Sequence, residues 1–432
     1  MAKKMLGFDI GNYNMKIVVV NGTAIERCIS VPVPDNMVVN SQIRAFTAAG
    51  DFIRETMREN GIRCRKCAVA LPEKSYYIRR VRLPKMTVSQ LMVNLPYEFH
   101  DYVTGEASEY VYDYAVRAMG ERTMELTICA ISKQKIAQYR DMMRRAGLKL
   151  EKLVPDVLAV QSVLNQKPLP IRVLDDAPAE PVQAAEKEKS DFGRGIDSSV
   201  FAGPVAAAAS GTADGSTETH EYQGFNPFTY YTDPAAAEKT ISALSPDGTD
   251  AEKGVMTGTG SEPEEDKPEP AAEPLSEKKD APKDFAVLDL GHGGTRIHFY
   301  SGGTYEITRT LVGGAKELLD MIVSEQGLDP HIARLILEQN QDGIMQTKSV
   351  QDRLDAVATE VMRTMNFYNY NNPNNTIECL HYFGKGLNMD DLYERIHEMT
   401  GLPVRPITEM IDGSEAIPEL IMGPQAYGAV IE

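Results

Sequence analysis

Two aspartates, each followed two positions later by a glycine, mark the chemistry open to this chain. Near the N-terminus runs Phe8-Asp9-Ile10-Gly11-Asn12-Tyr13-Asn14-Met15-Lys16, and far downstream runs Leu288-Asp289-Leu290-Gly291-His292-Gly293-Gly294-Thr295. Each reads as an apolar strand, Asp-apolar-Gly, a small or polar turn and a second strand. Glycine lets backbone N–H groups come close to phosphate oxygens, and successive N–H groups in a tight turn form an anion-binding nest. Asn12, Asn14 and Thr295 can add hydrogen bonds, and Lys16 offers a positive charge to a polyphosphate. His292 stands in the second turn, where it either touches a phosphate or faces water. Two carboxylates would repel phosphates unless Asp9 and Asp289 hold a hydrated Mg2+ between them and the ligand. One such motif alone would be a hairpin with an Asp-x-Gly turn. Two copies imply a duplicated unit and one shared site.

A third element is Leu380-His381-Tyr382-Phe383-Gly384-Lys385-Gly386-Leu387-Asn388. A strand that opens into a Gly-x-Gly turn before a helix can receive a flat base or a ribose.

These motifs need strands and helices to hold them. Met5–Ile10 and Met15–Val20 predict a strand pair, as do Phe285–Leu290 and Thr295–Tyr300, with Thr304–Val312 as a further strand. Cys67–Leu71 and Leu380–Phe383 are short apolar strands. The spacing of Ile43, Phe46, Ile53 and Met57 predicts a helix over Ser41–Asn60, stopped by Gly61. Ser132 is placed to cap a helix through Ile136, Tyr139 and Met143 that ends at Gly147. Glu317–Glu325, Val350–Tyr368 and Met389–Thr400 read as helices. Alternating strands and helices in both halves predict an α/β class.

The chain has 432 residues, 42% of them hydrophobic, with a net charge of −17. That length predicts more than one domain, and that charge argues against nucleic acid or a broad anionic membrane as partner. No stretch is long and apolar enough to span a bilayer, and the N-terminus is too short in apolar residues for a signal peptide. The expected location is the cytoplasm. From 165 to 283 the composition turns to Ala, Pro, Glu, Asp, Ser, Thr and Gly, with about twice as many acidic as basic side chains. Such a segment cannot bury enough surface to offset its ordering entropy, so a disordered acidic linker is expected. It divides a 1–164 unit from a 284–432 unit. Within it, Phe225-Asn226-Pro227-Phe228-Thr229-Tyr230-Tyr231 is an aromatic cluster, either a docking motif or a chance run. Five cysteines argue against a disulfide framework, and the Cys64-x-x-Cys67 pair runs straight into a buried strand, with no second pair to complete a zinc site.

The three motifs, in this order, resemble the sugar kinase, heat-shock chaperone and actin superfamily: Asp9–Lys16 its first phosphate motif, Asp289–Thr295 its second, Phe383–Asn388 its adenosine motif. Pro155–Val160 and Pro424–Ala429 look like its two connecting helices. Within the superfamily the chain is similar to PilM-type pilus assembly proteins, related to FtsA. The segments that carry this are Ala68–Pro72, Arg79–Met86, Leu95–Glu98, Arg144–Leu148 and Glu360–Tyr368, with Gly313-Gly314 as the turn after the second phosphate motif. The resemblance implies a two-lobed, actin-like (ribonuclease H-like, duplicated) α/β fold, with a small α+β subdomain inserted at about 72–150 of the N-terminal lobe. It implies ATP with Mg2+ in the cleft, little or no hydrolysis and no catalytic residue. The nucleotide contacts would be Asp9, Gly11, Asn12, Tyr13, Asn14, Lys16, Asp289, Gly291, His292, Gly293, Gly294, Thr295, Gly313, Gly314, Gly384, Lys385 and Gly386.

It further implies a cytoplasmic scaffold of the type IV pilus inner-membrane assembly complex. That scaffold would bind the N-terminal cytoplasmic peptide of a PilN-like membrane protein, could meet the pilus motor ATPases and could self-associate. The chain would lie at the inner face of the membrane through these partners, without inserting. The long acidic segment and Lys385, where a third glycine is usual, depart from the pattern. Two other readings share the superfamily: a small-molecule kinase, for which Asp156 is the candidate base, and an FtsA-like division protein, whose terminal amphipathic helix is not expected after Ala429-Val430-Ile431-Glu432.

Overall fold

The computed structural model describes residues 4–165, 167–174, 283–311, 314–384 and 390–431. Residues 175–282 of the acidic segment, with the 225–231 aromatic cluster, lie outside the described residues, as do Gly313, Lys385 and Gly386.

Two sheets share one strand order. In the first, β1 (Lys4–Ile10), β2 (Asn14–Asn21) and β3 (Ala24–Pro32) form an antiparallel meander, and β1 continues in parallel to the later strands β6 and β10. A two-stranded ribbon, β4 (Val38–Val39) with β5 (Gln42–Ile43), and helix α1 (Phe46–Glu59) lead into β6 (Lys66–Leu71). An inserted antiparallel sheet follows, made of β7 (Tyr77–Pro84), helix α2 (Val88–Glu98), β8 (Tyr110–Met119) and β9 (Thr123–Ser132). Helix α3 (Lys133–Arg145) returns the chain to β10 (Lys149–Pro155), and α4 (Asp156–Asn165) leaves it; β11 (Arg172–Val173) pairs with the edge of β8.

The second sheet repeats the plan. β12 (Phe285–Leu290), β13 (Thr295–Ser301) and β14 (Thr304–Leu311) form the meander, and β12 pairs in parallel with β15 (Leu380–Phe383), which pairs with β16 (Val404–Pro406). Three helices stand between β14 and β15, where the first half carries β4, β5 and α1: α5 (Ala315–Gln326), α6 (Pro330–Glu338) and α7 (Lys348–Asn371). Helix α8 (Asp390–Thr400) joins β15 to β16, and α9 (Pro424–Gly428) comes last. The orders β3-β2-β1-β6-β10 and β14-β13-β12-β15-β16 are superimposable as topology. The duplication read from the two aspartate motifs is therefore a duplication of whole sheets, and the fold is the expected two-lobed actin-like α/β class.

Helices cover both faces of the central strands, so β1 and β12 are nearly continuous in buried residues rather than alternating. One hydrophobic core runs through the N-terminal lobe and across the base of the cleft, taking in Tyr300, Phe383, Leu420 and Ala426 from the second half. A second fills the C-terminal lobe, and a third lies under the inserted sheet and α2. Where the connecting helices cross, α9 lies on α4 so closely that a Cβ on Gly428 would overlap the Ala159 carbonyl, standing 2.6 Å from its carbon. The Tyr300 hydroxyl donates to the Val157 carbonyl at 2.9 Å, and the Tyr305 N–H donates to Gln161 Oε1 at 2.6 Å, tying the lobes at this hinge.

Most predicted elements stand within a residue or two of their expected limits. The helix expected from Ser41 begins at Phe46 instead. Asn40 and Ser41 are left-handed, with φ of 51° and 61°, because the Ser41 N–H is drawn to Asn12 Oδ1 at 2.6 Å. Ser132 caps α3 as expected, accepting from the Lys135 N–H at 3.2 Å. Cys64 and Cys67 are both buried, and their thiols donate to backbone carbonyls of Lys4 and Lys149. Burial pushes the Cys67 thiol pKa well up. Among the described residues no helix is long and apolar enough to cross a membrane.

Candidate nucleotide cleft

Each aspartate motif is the turn between the first two strands of its sheet, so the duplicated topology points both turns into the gap between the lobes. The first turn is closed by the Gly11 N–H donating to the Asn14 carbonyl at 3.1 Å, and Val33 N–H ties Tyr13 down at 2.7 Å. The second is backed by α5, whose Lys316 N–H donates to the His292 carbonyl at 3.0 Å. Across the gap, the Tyr13 ring meets the His292 ring at 5.4 Å between centroids, and the Arg334 guanidinium lies 3.4 Å from the centre of the Tyr13 ring.

Between the turns is a cavity of about 300 Å³, at the lower end for small-molecule sites. Asp9, Gly11, Asn12, Tyr13, Asn14, Lys16, Asp289, Gly291, His292, Gly293, Gly294 and Gly384 all line it. Thr295 does not; it is buried at the start of β13. Gly314 sits one layer back, where a Cβ would press on the Gly294 backbone. Gly384 follows β15 with φ of 104°, and its N–H donates to the Ile421 carbonyl at 2.8 Å. A side chain there would be strained and would strike the Leu290 backbone, so the third motif requires its glycine.

Three buried side-chain polar atoms of the cleft have no protein partner among the described residues: Asn14 Oδ1, His292 Nδ1 and Gln425 Oε1. Buried polar groups are otherwise almost always paired, so these three suit a polar ligand. Burial pushes the His292 pKa down, and the nearby Arg334 and Lys316 add to that. The ring is therefore neutral at physiological pH, with one nitrogen able to donate.

The sequence expectation that Asp9 and Asp289 share a hydrated Mg2+ fits the structure poorly. Lys16 Nζ is 2.9 Å from Asp9 Oδ2. Asp289 is more fully engaged: Arg296 Nη2 pairs with Oδ2, and His298 Nε2 lies 3.8 Å from the same oxygen. Burial opposes the charge on Asp289, but Arg296 and His298 more than offset it and hold the carboxyl at about 2. Its charge is spent inside the protein. Among the described residues no group of three or more His, Cys, Asp or Glu side chains is arranged to hold a metal ion.

Sequence reasoning passed over several residues that the fold brings into the cleft, among them Glu73, Lys74, Arg296 and Arg334. A signal for Arg296 existed. Lys16 and Arg296 each stand seven residues after the motif aspartate and directly opposite it on the paired strand. Asp156, the residue weighed as a kinase base, also lines the cleft. It accepts from the Tyr76 hydroxyl and the Val157 N–H, and burial raises its pKa although Arg296 pulls the other way.

Residues 7–170 match the family described as Type IV pilus assembly protein PilM. The resemblance read from the motifs is thus borne out over the N-terminal lobe and its inserted sheet. A solved PilM–PilN type IV pilus biogenesis complex resembles the whole chain with a TM-score of 0.62 at 17% identity, covering 98% of this chain and 96% of that one. At that identity it supports the fold, in both lobes. The ethanolamine utilization protein EutJ from Carboxydothermus hydrogenoformans is more distant, with a TM-score of 0.44 at 12% identity over 99% of this chain and 89% of that one. The cytoplasmic domain of EpsL from the Vibrio cholerae type II secretion system reaches 0.28 at 15% identity over 36% and 59%. No curated protein matches.

Proposed function

We propose that this chain is a nucleotide-binding scaffold of type IV pilus assembly, with ATP held between its lobes. The observation that carries this reading is the pair of aspartate turns facing each other across one cavity, lined also by Asn14, His292 and Gln425. The phosphates would lie between the Gly11–Asn14 and Gly291–Gly294 turns, against Lys16, and the base near Gly384. Gly314 and Thr295 would support the second turn from behind. The positive charge first expected from Mg2+ would come from the chain's own bases.

A ligand that bridges both turns favours the closed arrangement by its differential affinity for it. Closure would in turn bias any site at the border of the inserted sheet and the N-terminal lobe, where we place the peptide of a PilN-like membrane protein. This partner would hold the chain at the inner face of the membrane, and motor ATPases and self-association would complete the assembly. The 1–164 and 284–432 units would be the moving bodies. Hydrolysis would be slow at most, because Asp156 is already held by Tyr76, Val157 and Arg296. The same engagement counts against a small-molecule kinase.

The test is calorimetry with a synthetic N-terminal peptide of the PilN-like protein, with and without saturating ATP. Peptide binding that strengthens or weakens several-fold with ATP supports the reading. Absence of peptide binding in both states overturns the scaffold role.

A further inference from the structure

We propose that Arg296 is the built-in counter-cation of the cleft, so that nucleotide binds without a divalent metal. This inference rests on the reading of the cleft as a nucleotide site and concerns how that site handles charge.

Arg296 reaches three carboxylates at once. Its Nη2 pairs with Asp289 Oδ2, and its Nη1 stands 3.2 Å from Glu73 Oε2 and 3.6 Å from Asp156 Oδ2. Asp289 belongs to the C-terminal lobe, and Glu73 and Asp156 belong to the N-terminal lobe, so one guanidinium spans the gap. The side chains of Asp289 and Asp156 are only 6% and 9% exposed, which keeps these pairs out of the screening solvent.

This is the work a divalent ion does in a phosphate site. Mg2+ binds through carboxylates and phosphate oxygens and cancels the repulsion between them. Here a permanently charged, planar fork of N–H donors already occupies the carboxylates. A hard cation would need oxygens that Arg296 holds. The ionisable lining is also balanced: Asp9, Glu73, Asp156 and Asp289 face Lys16, Lys74, Arg296 and Arg334. An incoming polyphosphate therefore meets no net negative field that a metal must first neutralise.

Lys16 does the corresponding work for Asp9, but among the described residues that is the one acid it pairs with. The arginine is what distinguishes the second turn. A lysine at 296 would keep the charge and lose the fork, so the two functions of Arg296 can be separated.

The experiment is equilibrium titration of a fluorescent ATP analogue into the full chain, once in excess Mg2+ and once in excess EDTA, with wild type, R296K and R296Q. The expected wild-type affinities agree within about threefold in the two buffers. For R296Q, affinity in EDTA falls about tenfold or more, because Asp289, Asp156 and Glu73 then repel the phosphates without a counter-charge, and Mg2+ restores part of it. R296K falls between. Thermal melts of all three proteins identify any variant that is unfolded, and the wild-type comparison decides the question without them. A tenfold or greater loss of wild-type affinity in EDTA overturns the inference and leaves the nucleotide reading intact. Unchanged EDTA binding in folded R296Q overturns the assignment to Arg296. Absence of wild-type binding in both buffers overturns the nucleotide reading and this inference with it.

Discussion

Replacing Gly428 by alanine places a methyl group against the backbone of the facing connecting helix. The new carbon would overlap the Ala159 carbonyl oxygen and lie 2.6 Å from its carbon and 3.1 Å from its Cα. Ordinary contact between such atoms starts at about 3.4 Å, so α9 and α4 must part by roughly 1 Å. No rotamer change can absorb this, because the atoms struck are main chain. Overpacking of this kind costs typically 1–3 kcal/mol, and backbone against backbone belongs at the upper end. Alanine recovers about 1 kcal/mol of helix propensity. The net loss is about 2 kcal/mol, or roughly 4–8 °C in melting temperature for a cooperative unit of this size. The assay is a thermal melt by circular dichroism of wild type and Gly428→Ala. The helices also carry the Tyr300 and Tyr305 bonds between lobes, so ATP affinity should fall as well. A melting temperature within about 1 °C of wild type, together with unchanged affinity, would refute the close crossing and the hinge built on it.

Three further outcomes are expected. The Asp289 carboxyl, held at about 2 against an ordinary value near 3.8, contributes of order 2 kcal/mol of stability. Because its pKa is depressed by folding, that contribution is present above about pH 4 and fades as the pH falls toward 2. In Asp289→Asn the difference from wild type should therefore shrink over that range, as read by urea unfolding at stepped pH. Arg117 is buried, bonds to the Ser301 carbonyl at 3.2 Å and to Thr304, yet its Nε and Nη1 find no partner among the described residues. Arg117→Met should cost under about 1.5 kcal/mol, since the charge lost was poorly satisfied, and a loss above about 3 kcal/mol in chemical denaturation would contradict this. Cys28, Cys64, Cys67 and Cys129 are buried and Cys379 is half-buried, so a thiol reagent should label Cys379 first. Fast labelling of Cys64 and Cys67 would contradict the buried strand.

The fold was readable because the same local pattern occurs twice. An apolar strand, Asp-x-Gly and a second strand can be recognised at 5–20 and again at 285–300 without knowing what lies between, and the sheets that hold them obey the same order. The helix that starts late shows the limit of local reading. Ile43 and Phe46 have helical spacing, but Asn12, thirty residues away in sequence, captures the Ser41 N–H and bends the chain into the cleft. Helix α6 had its signals in plain view, with Asp329 as cap and Pro330 at the first turn, and it brings Arg334 to Tyr13. The fate of the aspartates was only half legible. A carboxylate beside a phosphate turn invites a metal, and only the strand register reveals that Lys16 and Arg296 stand opposite. Glu73 and Asp156 reach Arg296 through tertiary packing alone, which no spacing encodes.

Whether the two facing turns form one nucleotide site is tested most directly by calorimetric titration of ATP into wild type and Lys16→Ala. Lys16 lies on β2 just after the first turn, 2.9 Å from Asp9, and lines the shared cavity. The account predicts saturable one-to-one binding to wild type, weakened about tenfold or more when the lysine is removed. No heat from wild type, or equal affinity in the two proteins, would contradict it.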